Sequence, residues 1–171
     1  MKDIYVKLLL EMMGQCKRSD RELAKSMRVS QPTVTRARRW LEANGYITEY
    51  TLIPDFAKIG LELVAFTLIK ARVEGKTEKD QEESEKKTRV FLRSHPNVVM
   101  GLRGEGLGCD GMLVSLHKDF AEFTRFMREL KVETTGLEVV GNFLASLTDM
   151  NQYRQLTFKR VKDYVNAEEQ E

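Results

Sequence analysis

The sequence has little of the residues on which several classes of protein depend. Its 171 residues include two cysteines, three prolines and two histidines, and its formal net charge at pH 7 is only +2. Cys16 and Cys109 are far apart and form no C-x-x-C pair, which argues against a disulfide framework or a zinc finger. Because the sequence also has no signal peptide, we expect reduced thiols in a cytoplasmic protein.

Long apolar runs are missing as well. The longest, LELVAFTLIKA from Leu61, is interrupted by Glu62 and Lys70 and is far short of a bilayer span, so we expect no membrane location.

No nucleophile with a base and no paired carboxylates stand out, and His95 and His117 are separate, in a predicted turn and at a predicted strand end. We therefore expect no catalytic residue, metal or cofactor, and two solvated histidines.

A glycine motif is the first informative feature that is present. GLGCDG, residues 106–111, has the G-x-G-x-x-G spacing of dinucleotide-binding turns, which bind a pyrophosphate where a strand enters the glycines and a helix leaves them. Here NVVMGLR precedes the motif and MLVSLH follows it, and both have the apolar, β-branched character of strands. The motif is therefore predicted to form the loop of a hairpin.

Positive charge is concentrated near the N-terminus. Residues 1–53 carry ten Lys and Arg against six Asp and Glu, whereas the remainder carries eighteen against twenty. Within residues 17–39, eight basic residues stand against two acidic ones, a local excess of six. Such a footprint attracts a polyanion, and the alternative is a solvated helix surface.

Helical signals fill the first fifty residues. Apolar residues at helical spacing predict a first helix over 3–15. Ser19 and Glu22 have the spacing of a capping box, which predicts a short helix that ends at Met27. Ser30 is then the expected cap of a third helix that runs to residue 44.

The third helix is predicted to read DNA. A short helix, a tight turn and a longer arginine-rich helix form the arrangement that places the last helix in a major groove. Val34, Ala37 and Leu41 share one face, which we assign to the core. The candidate DNA-binding residues are Ser30, Gln31, Thr33, Thr35, Arg36 and Arg39. After Gly45, YITEYTLI alternates as a strand does, which predicts a wing.

The stretch of residues 30–71 resembles the junction of leucine-responsive and asparagine-synthesis regulators, the Lrp/AsnC family. The residues that carry this resemblance are Ser30, Val34, Arg36, Leu41, Glu42, Gly45, Ile47, Tyr50, Asp55, Lys58, Gly60 and Phe66. It implies a transcriptional regulator of double-stranded DNA, with a winged helix-turn-helix and a ferredoxin-like regulatory domain. Arg38 stands where the family usually has an apolar residue, and Glu49 replaces a glycine. Trp40 is expected to supply the apolar cover that Arg38 does not.

The second half of the sequence predicts an α+β domain. Residues 61–73 are apolar on both alternating faces, a charged helix and the hairpin follow, and Phe120, Phe123, Met127 and Leu130 mark a second helix before a strand at 137–147. This strand–helix–strand–strand–helix–strand order is ferredoxin-like. Helices on one face leave the other apolar face for a second subunit, so we expect a homodimer or a higher homo-oligomer.

These signals divide the chain into four parts. We expect a winged helix-turn-helix domain over 1–53, a linker over 54–60, a ligand-sensing and dimerisation domain over 61–147, and a C-terminal helix and tail over 148–171. Apolar residues at helical spacing between Met150 and Tyr164 predict that last helix, which would pack on the dimer or its neighbour.

The glycine hairpin is also the candidate effector site. The resembled family places its effector-responsive turn here, usually as a glycine followed closely by an aspartate, although the loop in this sequence is longer. Gly106, Gly108 and Asp110 are the candidates, because glycines let amides approach a carboxylate and an aspartate pairs with an ammonium, as an amino acid requires. The alternative is a structural turn.

Two other functions stay open. Some relatives of this fold are haem-pathway decarboxylases, which would bind a tetrapyrrole and absorb visible light, whereas a regulator would be colourless and retard DNA. A winged-helix regulator without a small-molecule effector would bind DNA and show no response to amino acids.

Overall fold

The computed structural model describes residues 3–72, 77–134, 136–148 and 156–167. The chain divides into two units, one formed by Met1–Ile53 with Arg154–Glu171 and the other by Pro54–Tyr153. Each unit has a hydrophobic core of its own. Within the described ranges, no helix is long and apolar enough to cross a membrane.

Three helices form the basis of the N-terminal unit. They are α1 (Asp3–Gly14), α2 (Asp20–Met27) and α3 (Gln31–Ala43). The predicted capping box begins α2, where Glu22 N donates to Ser19 Oγ and Ser19 N donates to Glu22 Oε2. Ser30 caps α3 by accepting from the backbone N–H three residues later. Local sequence signals therefore set where α2 and α3 begin.

The three helices meet around a small apolar core. Leu8, Leu23, Val34 and Leu41 are fully buried at its centre. Trp40 closes one side of this core, as expected, because its ring stacks between Tyr5 and Tyr46 with centroid distances of 4.2 and 5.3 Å.

The segment after α3 differs from the prediction. Residues 46–53 do not form a strand, so the predicted wing strand is absent from this part of the described chain. The backbone N–H groups of Tyr46 and Ile47 donate to Leu41 O and hold the start of the segment against α3. A strand needs a ladder partner, and alternation in a single segment does not supply one.

The C-terminal helix is shorter than predicted. Helix α6 spans Val161–Ala167, residues 156–158 are not helical, and the predicted residues 149–155 lie outside the described part. It belongs to the N-terminal unit and packs against α1, where Lys162 Nζ lies 4.0 Å from Glu11 Oε1. Its packing on a dimer or a neighbouring subunit stays a prediction.

The second unit is α+β with one four-stranded antiparallel sheet. Its elements, after a short 3₁₀ turn at Ala57–Ile59, are β1 (Leu63–Ala71), α4 (Glu78–Ser94), β2 (Val98–Gly106), β3 (Cys109–His117), α5 (Phe120–Glu133) and β4 (Leu137–Ser146). The strand order in the sheet is β2-β3-β1-β4. The chain therefore follows the predicted order of strands and helices.

Both helices pack on the same face of the sheet. That face presents Ala65 and Ile69 from β1 and Leu113 from β3 to Phe91 of α4 and Leu130 of α5. The residues that alternate with these point to the opposite face, which is also apolar. They are Val64, Phe66, Leu68, Met100, Leu102, Met112, Val114, Leu116 and Phe143.

The glycine motif forms a hairpin, as predicted, but its loop is much shorter. Gly106 pairs with Cys109, so the turn consists of Leu107 and Gly108, whose φ angles of 53° and 72° are those of a type I′ turn. Asp110 and Gly111 lie inside β3. A Cβ on Gly111 would stand 2.7 Å from Leu102 O, so close strand packing accounts for this glycine.

The histidines are not solvated, contrary to the expectation. His117 is fully buried against Phe123 and Phe126, and its Nε2 lies 2.9 Å from Ser115 Oγ. His95 caps α4 and stacks on Phe91 with a centroid distance of 3.8 Å. Strand alternation places residue 117 on the helix-facing side of β3, where α5 covers it.

We predict that His117 makes the protein less stable in acid. Burial lowers the pKa of His117 below the ordinary 6.5, and the charge of Glu122 opposes this only partly. As the pH falls below 6.5, the His117 side chain is therefore protonated in the unfolded chain before it is protonated in the folded one. The free energy of unfolding then decreases by up to about 1.4 kcal/mol per pH unit. The melting temperature should decrease more steeply between pH 7.5 and 5.5 for the wild type than for His117→Gln. Parallel curves would contradict this.

Candidate nucleic-acid interface

The outward face of α3 carries two arginines. With 3.6 residues per turn, the core residues Val34, Ala37 and Leu41 lie on one side of the helix and Arg36 and Arg39 lie on the other. Both arginines are exposed and are separated by about one turn. Two guanidinium groups on a solvent-facing stripe match the donors that contact guanine edges and phosphates.

The other sequence candidates divide by what their polar groups contact. Ser30 Oγ lies 2.7 Å from Thr33 Oγ1, so both hydroxyls belong to the N-cap. Thr35 Oγ1 donates to Asp20 Oδ2 of α2 at 2.6 Å, and Gln31 is exposed at the start of the helix. The structure therefore exposes Gln31, as it does Arg36 and Arg39, and places the three hydroxyls in contacts within the protein.

A side-chain network beside this surface was not foreseen from the sequence. Arg38 forms an ion pair with Asp20 of α2, and its Nη1 donates to Tyr50 Oη at 3.4 Å. Tyr50 Oη donates to Glu42 Oε1 at 2.7 Å. The partners of Arg38 are eighteen residues before it and twelve after it, so no local pattern announces them. The resembled family usually has an apolar residue at position 38, and the Asp20 carboxylate accommodates the arginine that this chain has there.

Electrostatics hold the Asp20–Arg38 pair in its charged form. Burial would raise the pKa of Asp20, but hydrogen bonds from Thr35 and Arg38 and the charges of Arg38 and Arg39 lower it below its usual value. Burial would likewise lower the pKa of Arg38, and its hydrogen bonds to Tyr50 and Asp20 outweigh that effect and raise it. The pair therefore stays ionised throughout the physiological pH range.

Most of the N-terminal basic residues face solvent. Arg18 pairs with Glu11 and Arg38 with Asp20, which leaves six of the eight basic residues between 17 and 39 exposed and without an ion pair to any described residue. These six are Lys17, Arg21, Lys25, Arg28, Arg36 and Arg39. Internal pairing thus consumes two acidic groups and leaves a surface with positive charge.

Arg28 has an unusual backbone at the turn between α2 and α3. Its φ of 56° is in the left-handed region that glycine ordinarily occupies after a helix. The conformation lets its N–H donate to the last carbonyls of α2 and redirects the chain toward Ser30. The exposed side chain adds positive charge next to the N-terminus of α3.

The candidate effector residues lie at the turn of the β2–β3 hairpin and in the first residues of β3. Gly106 and Gly108 flank the exposed Leu107 at the tip. Asp110 Oδ2 accepts the backbone N–H of Ala71 at 2.7 Å, which ties β3 to the end of β1. Among the described residues, no three His, Cys, Asp or Glu side chains form a group that could hold a metal ion.

Comparisons with known proteins identify the fold. No protein-family model matches the sequence. No curated protein matches it either. An AsnC family transcriptional regulator from Agrobacterium tumefaciens superposes with a TM-score of 0.71 at 20% identity, over 96% of this chain and 99% of that one.

Two further solved structures give the same result. The leucine response regulatory protein of Mycobacterium tuberculosis has a TM-score of 0.71 at 16% identity, over 92% of this chain and 99% of that one. A transcriptional regulator from Neisseria meningitidis, solved in complex with L-Met, has a TM-score of 0.71 at 17% identity, over 91% and 94% of the two chains. The chain therefore has the fold of these regulators over nearly its whole length.

Proposed function

We propose that the chain is a sequence-specific DNA-binding transcriptional regulator of Lrp/AsnC type. In this proposal α2 and α3 form a helix-turn-helix within residues 1–53, and α3 enters the major groove with Gln31, Arg36 and Arg39 toward the bases. The observation that carries it is the exposed arginine pair on α3, in a unit that exposes six basic residues between positions 17 and 39. Ser30, Thr33 and Thr35 then support α3 from its cap and from α2.

The second unit is proposed to be the ferredoxin-like dimerisation and sensing domain, over residues 61–147 after a linker at 54–60. Its βαββαβ order and four-stranded antiparallel sheet support this proposal. The open face exposes 67% of Phe143 on one edge strand and 48% of Leu102 and 43% of Met100 on the other, and exposed apolar side chains on a sheet face support an interaction site. A second copy of the same face covers it by two-fold symmetry and gives a homodimer.

A regulator is favoured over the haem-pathway enzyme by the state of the histidines. His117 is enclosed by α5, and His95 Nδ1 lies 2.7 Å from Phe91 O. Both rings therefore contribute to the core of the second unit.

The hairpin turn is proposed as the effector-responsive element. Gly106 and Gly108 let backbone amides approach a carboxylate, and Asp110 supplies a charge for an ammonium, which together suit an α-amino acid. The L-Met complex of the Neisseria meningitidis regulator supports testing amino acids first. The bond from Ala71 N to Asp110 Oδ2 supports the competing structural role.

The DNA-binding proposal predicts a loss of affinity in Arg36→Ala and Arg39→Ala. Each substitution should weaken binding to a duplex selected by the wild type from a random pool by about 1–3 kcal/mol if the arginine reads a base. If it contacts a phosphate instead, the slope of affinity against salt should fall by about one. Arg128→Ala removes an exposed helical arginine from the second unit and should change neither quantity. Unchanged affinity in both α3 variants would refute the assignment of α3.

The dimer proposal predicts that Phe143→Glu separates the subunits. The substitution puts two carboxylates into a two-fold interface, and loss of a buried aromatic anchor costs at least about 2 kcal/mol per copy. Sedimentation of the full chain should show dimers for the wild type and monomers for the variant at micromolar concentration. Val132→Glu, on an α5 residue that is 74% exposed, is the matched control and should remain dimeric. A dimeric Phe143→Glu would argue against this face.

The effector proposal predicts a thermal shift with at least one amino acid. A ligand at one hundred times its dissociation constant adds about 2.7 kcal/mol, which raises the melting temperature by a few degrees. Asp110→Asn keeps an acceptor for Ala71 N–H but removes the charge, so it should abolish the shift with little change in the unliganded melting temperature. If no amino acid shifts the wild type, the turn is structural and the effector-independent regulator is favoured.

A further inference from the structure

Arg38 differs from its neighbours on α3 because its guanidinium points into the N-terminal unit. Its Nε and Nη2 atoms each lie 2.8 Å from Asp20 Oδ1. The Arg38 and Asp20 side chains are only 18% and 22% exposed, whereas Arg36 and Arg39 are exposed. One carboxylate oxygen at the start of α2 is therefore held by two donors from α3.

The same carboxylate holds α3 at a second point. Thr35 Oγ1 donates to Asp20 Oδ2, so both oxygens of Asp20 are bound to α3. Thr35 and Arg38 are three residues apart and lie on neighbouring turns of one helix face. Two attachment points along a helix fix its rotation about its own axis as well as its distance from α2.

The other side of Arg38 reaches the chain that leaves the unit. Its Nη1 donates to Tyr50 Oη, which in turn donates to Glu42 Oε1 near the end of α3. Tyr50 precedes Pro54, where the second unit begins, by four residues. Arg38 thus joins α2, α3 and the outgoing segment in one network.

We propose that Arg38 is a positioning residue that sets the rotation of the recognition helix and fastens it to the segment leading to the second unit. This inference rests on the proposed DNA-binding function. Base readout requires donors placed within hydrogen-bond distance of a base edge, whereas attraction to phosphates tolerates a small rotation. A loosened α3 should therefore lose affinity for a specific sequence and keep its affinity for DNA in general.

The test uses the full chain and two duplexes. One is recovered by the wild type from a random pool, and the other is a scrambled duplex of the same length. Arg38→Met removes the donors but keeps an unbranched side chain, and Asp20→Asn keeps the shape of the carboxylate but removes its charge. Association constants are measured over a series of KCl concentrations, and Arg128→Met in the second unit is the control. Circular dichroism checks that each variant is folded.

Each single variant should lose at least about tenfold in affinity for the selected duplex, which is about 1.4 kcal/mol. Affinity for the scrambled duplex and the slope of log K against log [KCl] should stay at the wild-type values, because no phosphate contact is lost. The double variant should lose less than the sum of the two single losses, since both substitutions act on the Arg38–Asp20 contact. Tyr50→Phe removes the link to the outgoing segment and leaves Asp20 in place, so it should give a smaller loss of the same kind, and it carries the test together with Asp20→Asn if Arg38→Met does not fold.

Two results would overturn the inference. The first is a slope that falls by about 0.9 on both duplexes in Arg38→Met with no effect of Asp20→Asn, because Arg38 would then be a phosphate contact. The second is wild-type affinity for the selected duplex in the folded variants. If the wild-type chain binds neither duplex, the proposed function itself fails and the inference falls with it. Failure of the inference alone leaves wild-type binding intact.

Discussion

The contact between Asp20 and Arg38 determines how the charges of the N-terminal unit are arranged. A partly buried carboxylate without a partner is costly, and a partly buried guanidinium is costly for the same reason. Together they satisfy each other, receive Thr35 as a further donor and hold two helices at a defined angle. An apolar pair of similar volume would stabilise the unit about as well. What the ion pair adds is direction, because its hydrogen bonds are satisfied in one orientation of α3.

The sheet of the second unit imposes a different constraint. Its strands are apolar on both faces, and α4 and α5 cover only one of them. Val114 and Leu116, in the middle of the open face, are almost buried within one chain, at 7% exposure each. Phe143 on the edge strand is 67% exposed. In the proposed homodimer, a second copy would therefore gain most of its contact from the outer strands, where each buried Phe or Leu would contribute about 1.5–3 kcal/mol. The proposed pairing would also bring two copies of α3 into one molecule, and two are needed because one recognition helix covers few base pairs.

The sequence predicted the features that depend on neighbouring residues and failed where a distant partner decides. The capping box at Ser19 and the cap at Ser30 are local, and the helices begin where those signals place them. The prediction of a wing strand at residues 46–53 is wrong, because alternation within one segment does not supply a neighbouring strand to pair with. The prediction that His117 is solvated is wrong because the residues next to it in sequence do not indicate that α5 covers it. The sequence shows that Arg38 is unusual, but its partner Asp20 lies eighteen residues before it and is not indicated by any local pattern.

The candidate site shows the same limit within a single helix. Periodicity assigned Val34, Ala37 and Leu41 to the core correctly, and all three are buried. It could not separate Thr35 from Arg36, because both lie off the core face and only the position of α2 decides that Thr35 bonds to Asp20. Hydroxyls near a helix start suit phosphates and caps equally well from sequence. The side chains of Gln31, Arg36 and Arg39 stay exposed and form no hydrogen bond or ion pair with the described residues of α1 or α2.

The net charge of the whole chain is a poor guide to its partner for a related reason. A total of +2 averages an N-terminal excess with a slightly acidic remainder. Exposed charges interact over about 8–10 Å at physiological salt, so a polyanion responds to the local surface and not to the sum. Internal pairing of Arg18 and Arg38 removes Glu11 and Asp20 from that surface, while Arg36 and Arg39 stay exposed. Each pair also removes one positive charge, so the excess of ten basic over six acidic residues in 1–53 is unchanged and is carried by exposed side chains such as Arg36 and Arg39. The field that DNA would meet at this unit is therefore more positive than the net charge of the whole chain suggests.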